Sequence, residues 1–555
     1  MLLREGHRRG TKVIKRTIAN LSSWPKAKVD TLRKLLKDEP LVSPNQVFKI
    51  ERSWPHGHVE AVLETIQRLG LDRMIAAKRC PERDLVMAMI IERLIQPGSK
   101  LAAARTWDTT TLAQLLDLDG YDEEDLYAAM DWLYQRQHRI EKKLANRHLS
   151  NGDQVLYDVS SSYYEGRHCS LADFGHNRDQ KKAKRIVVYG MLCDVEGRPI
   201  AVQVYPGNTG DPSTVPDQVS TLRDRFALTQ VTLVGDRGML TQAQIQALKD
   251  YPGIGWISAC RNRVVRDLVA EKHLQLSLFD SRNLAEIQSP DFPGERLIAC
   301  FNPLLAEERQ RKREALLTAT EQALAKIQRQ VQRRTKTPLS AVEIGEKVGR
   351  VIHQHKMAKH FELTINDSQF EYQRRQDEID REIELDGIYV IRTSEPAAKL
   401  SADDAVRSYK NLARVEQVFR TIKGVEIRVR PIHHRLEERV RSHIFICLLA
   451  YYVEWHMRQV LAPLLFDDET VVDDRTQRDP VATVQPTARA KQKKRQRTTD
   501  DGLPIHSFTT LLRELATICR VRCRVEGTDM PPIYQHPEPT PLQRKVRDLL
   551  RVFPG

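Results

Sequence analysis

Asp158, Asp236 and Glu416 are the side chains of this chain on which chemistry can be built. Asp158 and Asp236 each follow a short apolar run, Val155-Leu156-Tyr157 and Val231-Thr232-Leu233-Val234, that reads as a strand. Glu416 stands among Tyr409, Arg414, Arg420 and Lys423 in a stretch with helical spacing. Three carboxylates gathered at one sheet edge repel one another unless hard cations sit among them. Oxygen ligands of this kind suit Mg2+ or Mn2+, and two such ions roughly 3.5–4 Å apart support in-line displacement at phosphorus. Singly, each acid has an ordinary reading: Asp158 or Asp236 as a turn or cap residue, Glu416 as an i,i+4 partner of Arg420. The combination points to metal-dependent phosphodiester chemistry.

The acids can meet only if the intervening elements fold back on one another. After the strand that ends at Asp158, Arg185–Cys193 and Pro199–Tyr205 read as strands about a turn at Asp194–Gly197. Asp211 with Pro212 resembles the acidic N-cap of a helix. A strand ending before Asp236, a helix over 241–249 and a strand over 254–259 follow. This order predicts a mixed α/β sheet with an antiparallel hairpin, formed by residues 151–261 and resumed over 386–465. Residues 262–385 interrupt it as an inserted subdomain. There, Leu317, Leu324, Ile327 and Val331 give a long charged helix a narrow stripe suited to a partner near 342–355. Ser401 with Asp404 opens the helix expected to carry Glu416. Tyr409 and Lys423 lie seven positions to either side of Glu416, near the same helical face.

Composition narrows the partners. The 555 residues carry a formal net charge of +14, which favours polyanions. The excess is uneven: residues 1–40 hold eleven Lys/Arg against four Asp/Glu, and 486–499 hold six and no acid. Residues 1–150 read as a mainly helical, DNA-binding region, 466–503 as a basic linker and 504–555 as a helical tail. The apolar run 444–453 is about half a membrane span and reads as a core helix. Eight cysteines are scattered without metal spacing, and no export signal precedes them. Reduced thiols in a cytosolic protein are therefore expected.

Several blocks resemble insertion-sequence transposases of the IS4 superfamily, the IS1634-like group in particular. They are Tyr157-Asp158-Val159-Ser160-Ser161 with Tyr164-Glu165-Gly166, Val234-Gly235-Asp236-Arg237-Gly238-Met239, and the stretch from Tyr409 to Lys423. Pro97-Gly98-Ser99-Lys100 and Asp386–Thr393 match more weakly. The resemblance implies a ribonuclease H-like α/β core with an inserted subdomain and flanking, mainly helical regions. It also implies a triad of Asp158, Asp236 and Glu416 that holds two Mg2+ or Mn2+ ions. Tyr409, Arg414, Arg420, Lys423 and Arg237 become candidate DNA contacts. Leu412 stands where the superfamily motif has Arg. The implied partners are double-stranded DNA, as terminal inverted repeats and target, and a second copy of the chain in a synaptic homodimer. No membrane is involved, and the setting is the bacterial or archaeal cytoplasm, at the nucleoid. The implied reaction is cleavage at element ends followed by 3′-hydroxyl transfer. A structure-selective nuclease on the same fold and a non-enzymatic DNA-binding derivative are the competing readings.

Overall fold

The computed structural model describes residues 1–37, 48–279, 282–468, 479–482, 486–525 and 530–552. In chain order the strands are β1 (Leu2–Arg9), β2 (Lys12–Asn20), β3 (Phe48–Pro55), β4 (Gln154–Tyr163), β5 (Ile186–Cys193), β6 (Pro199–Tyr205), β7 (Val231–Gly235) and β8 (Ile254–Ala259). They continue as β9 (Leu284–Ile287), β10 (Arg296–Phe301), β11 (Phe361–Asn366), β12 (Gln369–Arg374), β13 (Ile388–Thr393), β14 (Cys519–Val525) and β15 (Ile533–Gln535). Eight of these form one mixed sheet in the order β6-β5-β4-β7-β8-β13-β10-β9. The β4, β7 and β8 strands are parallel, and the other neighbours are antiparallel.

Every residue of β5 and β7 is buried, so neither strand alternates polar with apolar. Strands covered on both faces have this character. The Leu412–Lys423 helix packs on β4, and the Gln137–His148 and Glu437–Leu461 helices pack on β6. Glu437–Leu461 contains the long apolar run and is buried along most of its length. Among the described residues no helix is long and apolar enough to cross a membrane. A single hydrophobic core extends from Val59 to Leu550, so the N-terminal helices, the sheet and the C-terminal helices share one interior.

The start of the chain departs from the helical expectation for residues 1–150. β1 and β2 form a hairpin whose turn holds Gly10 at φ 63, and β3 pairs with β14. Val13, Ile14 and Ile18 are exposed, so no buried stripe marks the hairpin in the sequence. Helices do fill the stretch from Gly57 to His148.

The expected insertion at 262–385 divides in two. β9 and β10 join the central sheet through β13. The Pro303–Arg333 and Ala341–His355 helices, with β11, β12 and Gln376–Ile383, enclose a separate core that includes Leu317, Leu324, Ile344 and Phe370. Of the expected 466–503 linker, 469–478 and 483–485 lie outside the described residues, while Ala488–Gln496 is a helix capped by Thr487. The tail beyond 504 holds β14 and β15 as well as the Phe508–Ala516 and Pro541–Arg551 helices. All eight cysteines are free thiols.

Candidate active site

β4 runs on to Tyr163, so Asp158 lies within the strand rather than at its end. What stops at this level is the parallel ladder. Its last pair is Tyr157 with Gly235, where β7 also finishes. Asp158 and Asp236 are the next residues of the two chains, side by side at the ladder's edge. Past that point β4 pairs with β5 on its other side, Asp158 opposite Met191. Tyr157 fixes the level: it is fully buried and its hydroxyl donates to Thr214 Oγ1 at 2.9 Å. A Cβ on Gly190 would stand 2.1 Å from that hydroxyl, so only glycine lets the ring lie across β5. An alanine there is an overpacking change, costing about 1–3 kcal/mol.

Glu416 arrives on a helix shorter than expected. The segment divides at Asn411 into Ala402–Lys410 and Leu412–Lys423. Ser401 caps the first by accepting from Asp404 N at 3.1 Å. Leu412, Val415, Phe419 and Ile422 are buried on the sheet side, while Glu416 is exposed. Tyr409 lies in the last turn of the first helix, and its hydroxyl donates to Asp236 Oδ1 at 3.1 Å. This contact ties the helix pair to the end of β7.

The electrostatics bring the three acids together. Burial pushes the Asp158 carboxyl up to about 7, Arg178 pulls it down, and the charges of Asp236 and Glu416 push it up further. The Tyr409 phenol is raised by burial and then by Asp236, and it also feels Arg237 and Glu416. Among the described residues none of the three acids forms an ion pair; Arg420, the expected partner of Glu416, bonds Gln417 Oε1 instead at 3.2 Å. Among the described residues no three His, Cys, Asp or Glu side chains close around a single point. A donor set of carboxylates without ion-pair partners fits a hard divalent cation.

The expected DNA contacts separate into groups. Arg237 is exposed and donates to Asn262 Oδ1 at 3.0 Å, and Arg420 is exposed on the helix of Glu416. Arg414 turns away from the acids, donating to the Val195 carbonyl and pairing with Glu196 at 3.3 Å on the β5–β6 turn. Lys423 is partly buried and pairs with Asp179 at 3.3 Å.

Asp179 is the residue that sequence reasoning missed. Its side chain is 1% exposed and accepts from Lys423, from Arg430 and from the Tyr163 backbone N–H. Arg178 beside it pairs with Asp211 at 2.5 Å. Asp211 is therefore not the helix cap; Gly210 holds that position. Asn177-Arg178-Asp179-Gln180-Lys181-Lys182 reads as a solvated charged loop, and no local signal marks one acid in it as buried.

The model of the family described as Transposase DDE domain matches residues 152–453, a span that contains Asp158, Asp236 and Glu416. The chain belongs to this family. No curated protein matches the chain. A solved structure, the cryo-EM structure of a piggyBac transposase synaptic complex with hairpin DNA, is similar over 82% of this chain and 77% of its own, with 9% identity and a TM-score of 0.33. Within this member of the Transposase DDE domain family, the matched span runs from just before β4 into the Glu437–Leu461 helix. It therefore includes the central sheet and the subdomain inserted into it.

Proposed function

We propose that the chain is an insertion-sequence transposase, of the IS1634-like group of the IS4 superfamily, with a ribonuclease H-like core. It cuts DNA at the ends of its element and joins the freed 3′-hydroxyl to target DNA. The observation that carries this reading is the adjacency of Asp158 and Asp236 at the end of the parallel β4–β7 ladder, with Glu416 on the helix packed on β4 and its charge felt at Asp158. The core comprises β4–β10 and β13 with the helices beside them, and residues 303–383 form an inserted subdomain.

Asp158, Asp236 and Glu416 would hold Mg2+ or Mn2+. Bound there, such ions supply charge neutralisation at the phosphate and acidify an attacking water or hydroxyl. The chain's own contribution is positioning. The parallel ladder sets Asp158 against Asp236, and the Tyr409 hydroxyl holds one oxygen of Asp236 in place. Arg237 and Arg420, both exposed near the acids, meet the phosphate backbone of the DNA. Asp179 anchors Lys423 and Arg430, which keeps the end of the Glu416 helix fixed relative to β4.

The substrate is double-stranded DNA bearing the terminal inverted repeats, and the working form is a synaptic homodimer at the nucleoid of a bacterial or archaeal cytoplasm. The test uses labelled DNA that flanks the reading frame, with Mg2+ and purified full-length protein. Cleaved ends and joined products are expected, and both should vanish in Asp236→Asn and Glu416→Gln. Joining that survives either substitution would overturn the mechanism, and cleavage without joining would favour the nuclease.

A further inference from the structure

Away from the three acids, a cavity of about 630 Å³ opens between the N-terminal helices and the segment that follows Lys423. One wall is Pro97-Gly98-Ser99-Lys100, a motif that the triad leaves unexplained. The opposite wall comes from residues 428–443 and is held to the sheet where Ile432 N donates to the Tyr163 carbonyl at 3.2 Å, at the end of β4.

The lining sets six Lys and Arg side chains against one carboxylate, Glu124. Arg430 and Arg439 have carboxylate partners, Asp179 and Asp131. Arg93, Lys100, Arg428 and Arg435 line the same space and, among the described residues, have no carboxylate within ion-pair distance. Lys100 and Arg93 are only 4% and 6% exposed. Among the described residues the Lys100 ammonium makes no hydrogen bond, and the Arg93 guanidinium reaches only the Arg428 carbonyl, at 3.5 Å. Burial holds the Lys100 ammonium below its usual range and pushes the nearby Glu92 carboxyl up, while the charge of each partly offsets the shift of the other. His434 and His443 are held neutral by burial and add no charge. A buried ammonium without a partner is costly unless a ligand completes it.

We propose that this cavity is an anion site that takes a backbone phosphate of the DNA strand, separate from the triad. An oxyanion there would meet Lys100 and Arg93 inside and Arg428 and Arg435 at the mouth, replacing missing partners with charge-assisted hydrogen bonds. Arg430 lines the cavity and also bonds Asp179, which holds Lys423 at the end of the Glu416 helix. A phosphate in the cavity would thus be coupled mechanically to the proposed catalytic centre. The anion assignment stands on the cavity; its identification as DNA rests on the proposed function.

The test measures binding without catalysis. Full-length Asp236→Asn protein in EDTA is titrated with fluorescent duplex carrying the flanking DNA, at several salt concentrations. Lys100→Met, Arg428→Asn and Arg435→Ser are then added singly. Asparagine suits the positive φ of 55 at Arg428. Each variant is expected to lose roughly tenfold in affinity, and the log–log salt slope should shrink by about one. Inorganic phosphate should weaken DNA binding by the parent but not by Lys100→Met. The two mouth residues are exposed, so their variants keep the test valid if Lys100→Met does not fold. Unchanged affinity and slope in the soluble variants would overturn the proposal. Loss of phosphate competition with DNA binding intact would also overturn it, since the cavity would then serve free phosphate. Neither outcome bears on cleavage by the wild-type chain, which tests the function separately.

Discussion

The Tyr409 hydroxyl donates to Asp236 Oδ1 at 3.1 Å across 173 positions of sequence, joining the helix pair that carries Glu416 to the strand end that carries Asp236. Residues that orient a metal-binding carboxylate typically matter tenfold to a hundredfold in metal affinity or activity. Tyr409→Phe should therefore weaken activation by Mg2+ roughly tenfold, read as a rightward shift of the metal titration. DNA affinity in EDTA should stay as in wild type. A fall in DNA affinity with an unchanged metal titration would make Tyr409 a DNA contact instead.

Asp158 yields a pH prediction. Its carboxyl is raised from 3.8 to about 7, so the folded metal-free protein binds this proton more tightly than the unfolded chain does. The associated stability is fully present below about pH 4 and is lost as pH rises through about 7. Asp158→Asn should accordingly melt higher than wild type at pH 8 in EDTA, by up to on the order of 2–4 kcal/mol, and the gap should close near pH 4. The same variant should be inactive. Equal melting at both pH values would show that the site does not penalise the charged carboxylate.

Arg414 and Arg420 should behave oppositely. Arg414 is spent on the Val195 carbonyl and Glu196, so Arg414→Ala should cost about 1–2 kcal/mol of stability and leave DNA affinity unchanged. Arg420→Ala should leave the melting temperature in place and weaken DNA binding several-fold, with a shallower salt dependence. Paired melting and anisotropy measurements on the two variants separate the roles.

Lys423 is a third case, since its ammonium is committed to the buried Asp179. Lys423→Met leaves that carboxylate with Arg430 and one backbone N–H, and should destabilise by about 1–3 kcal/mol. Lys423→Arg should recover most of the loss. Full stability in Lys423→Met would free Lys423 for the DNA.

The central sheet was largely readable because its signals are local. β6 matches the expected Pro199–Tyr205, bounded by turn residues, and the apolar run 444–453 lies inside the buried Glu437–Leu461 helix as expected. Asp194 is the turn residue it was read as, accepting from the backbone N–H groups of Glu196 and Arg198 at 2.9 Å each. The proximity of Asp158 to Asp236 follows from one parallel pairing, which the strand order allowed but could not specify. The Asp179 cluster was opaque because one of its partners, Arg430, lies 251 positions away. β9 and β10 were hidden for a related reason: two short strands inside a charged segment acquire their meaning from β13. The break at Asn411 leaves helical dihedrals intact, so no glycine or proline announces it.

The pairing of β3 with β14 matches Pro55 to Cys519 and Phe48 to Val525. During synthesis at roughly 10 residues per second, β3 leaves the ribosome most of a minute before its neighbour exists. For that interval it is an unprotected edge, with Arg52 and Lys49 along it as natural deterrents to wrong pairing. A chain truncated before Cys519 would never close that edge, even though Asp158, Asp236 and Glu416 had all been made. Loss of the chain's C-terminal end should therefore show itself as insoluble protein before it touches any of the three acids.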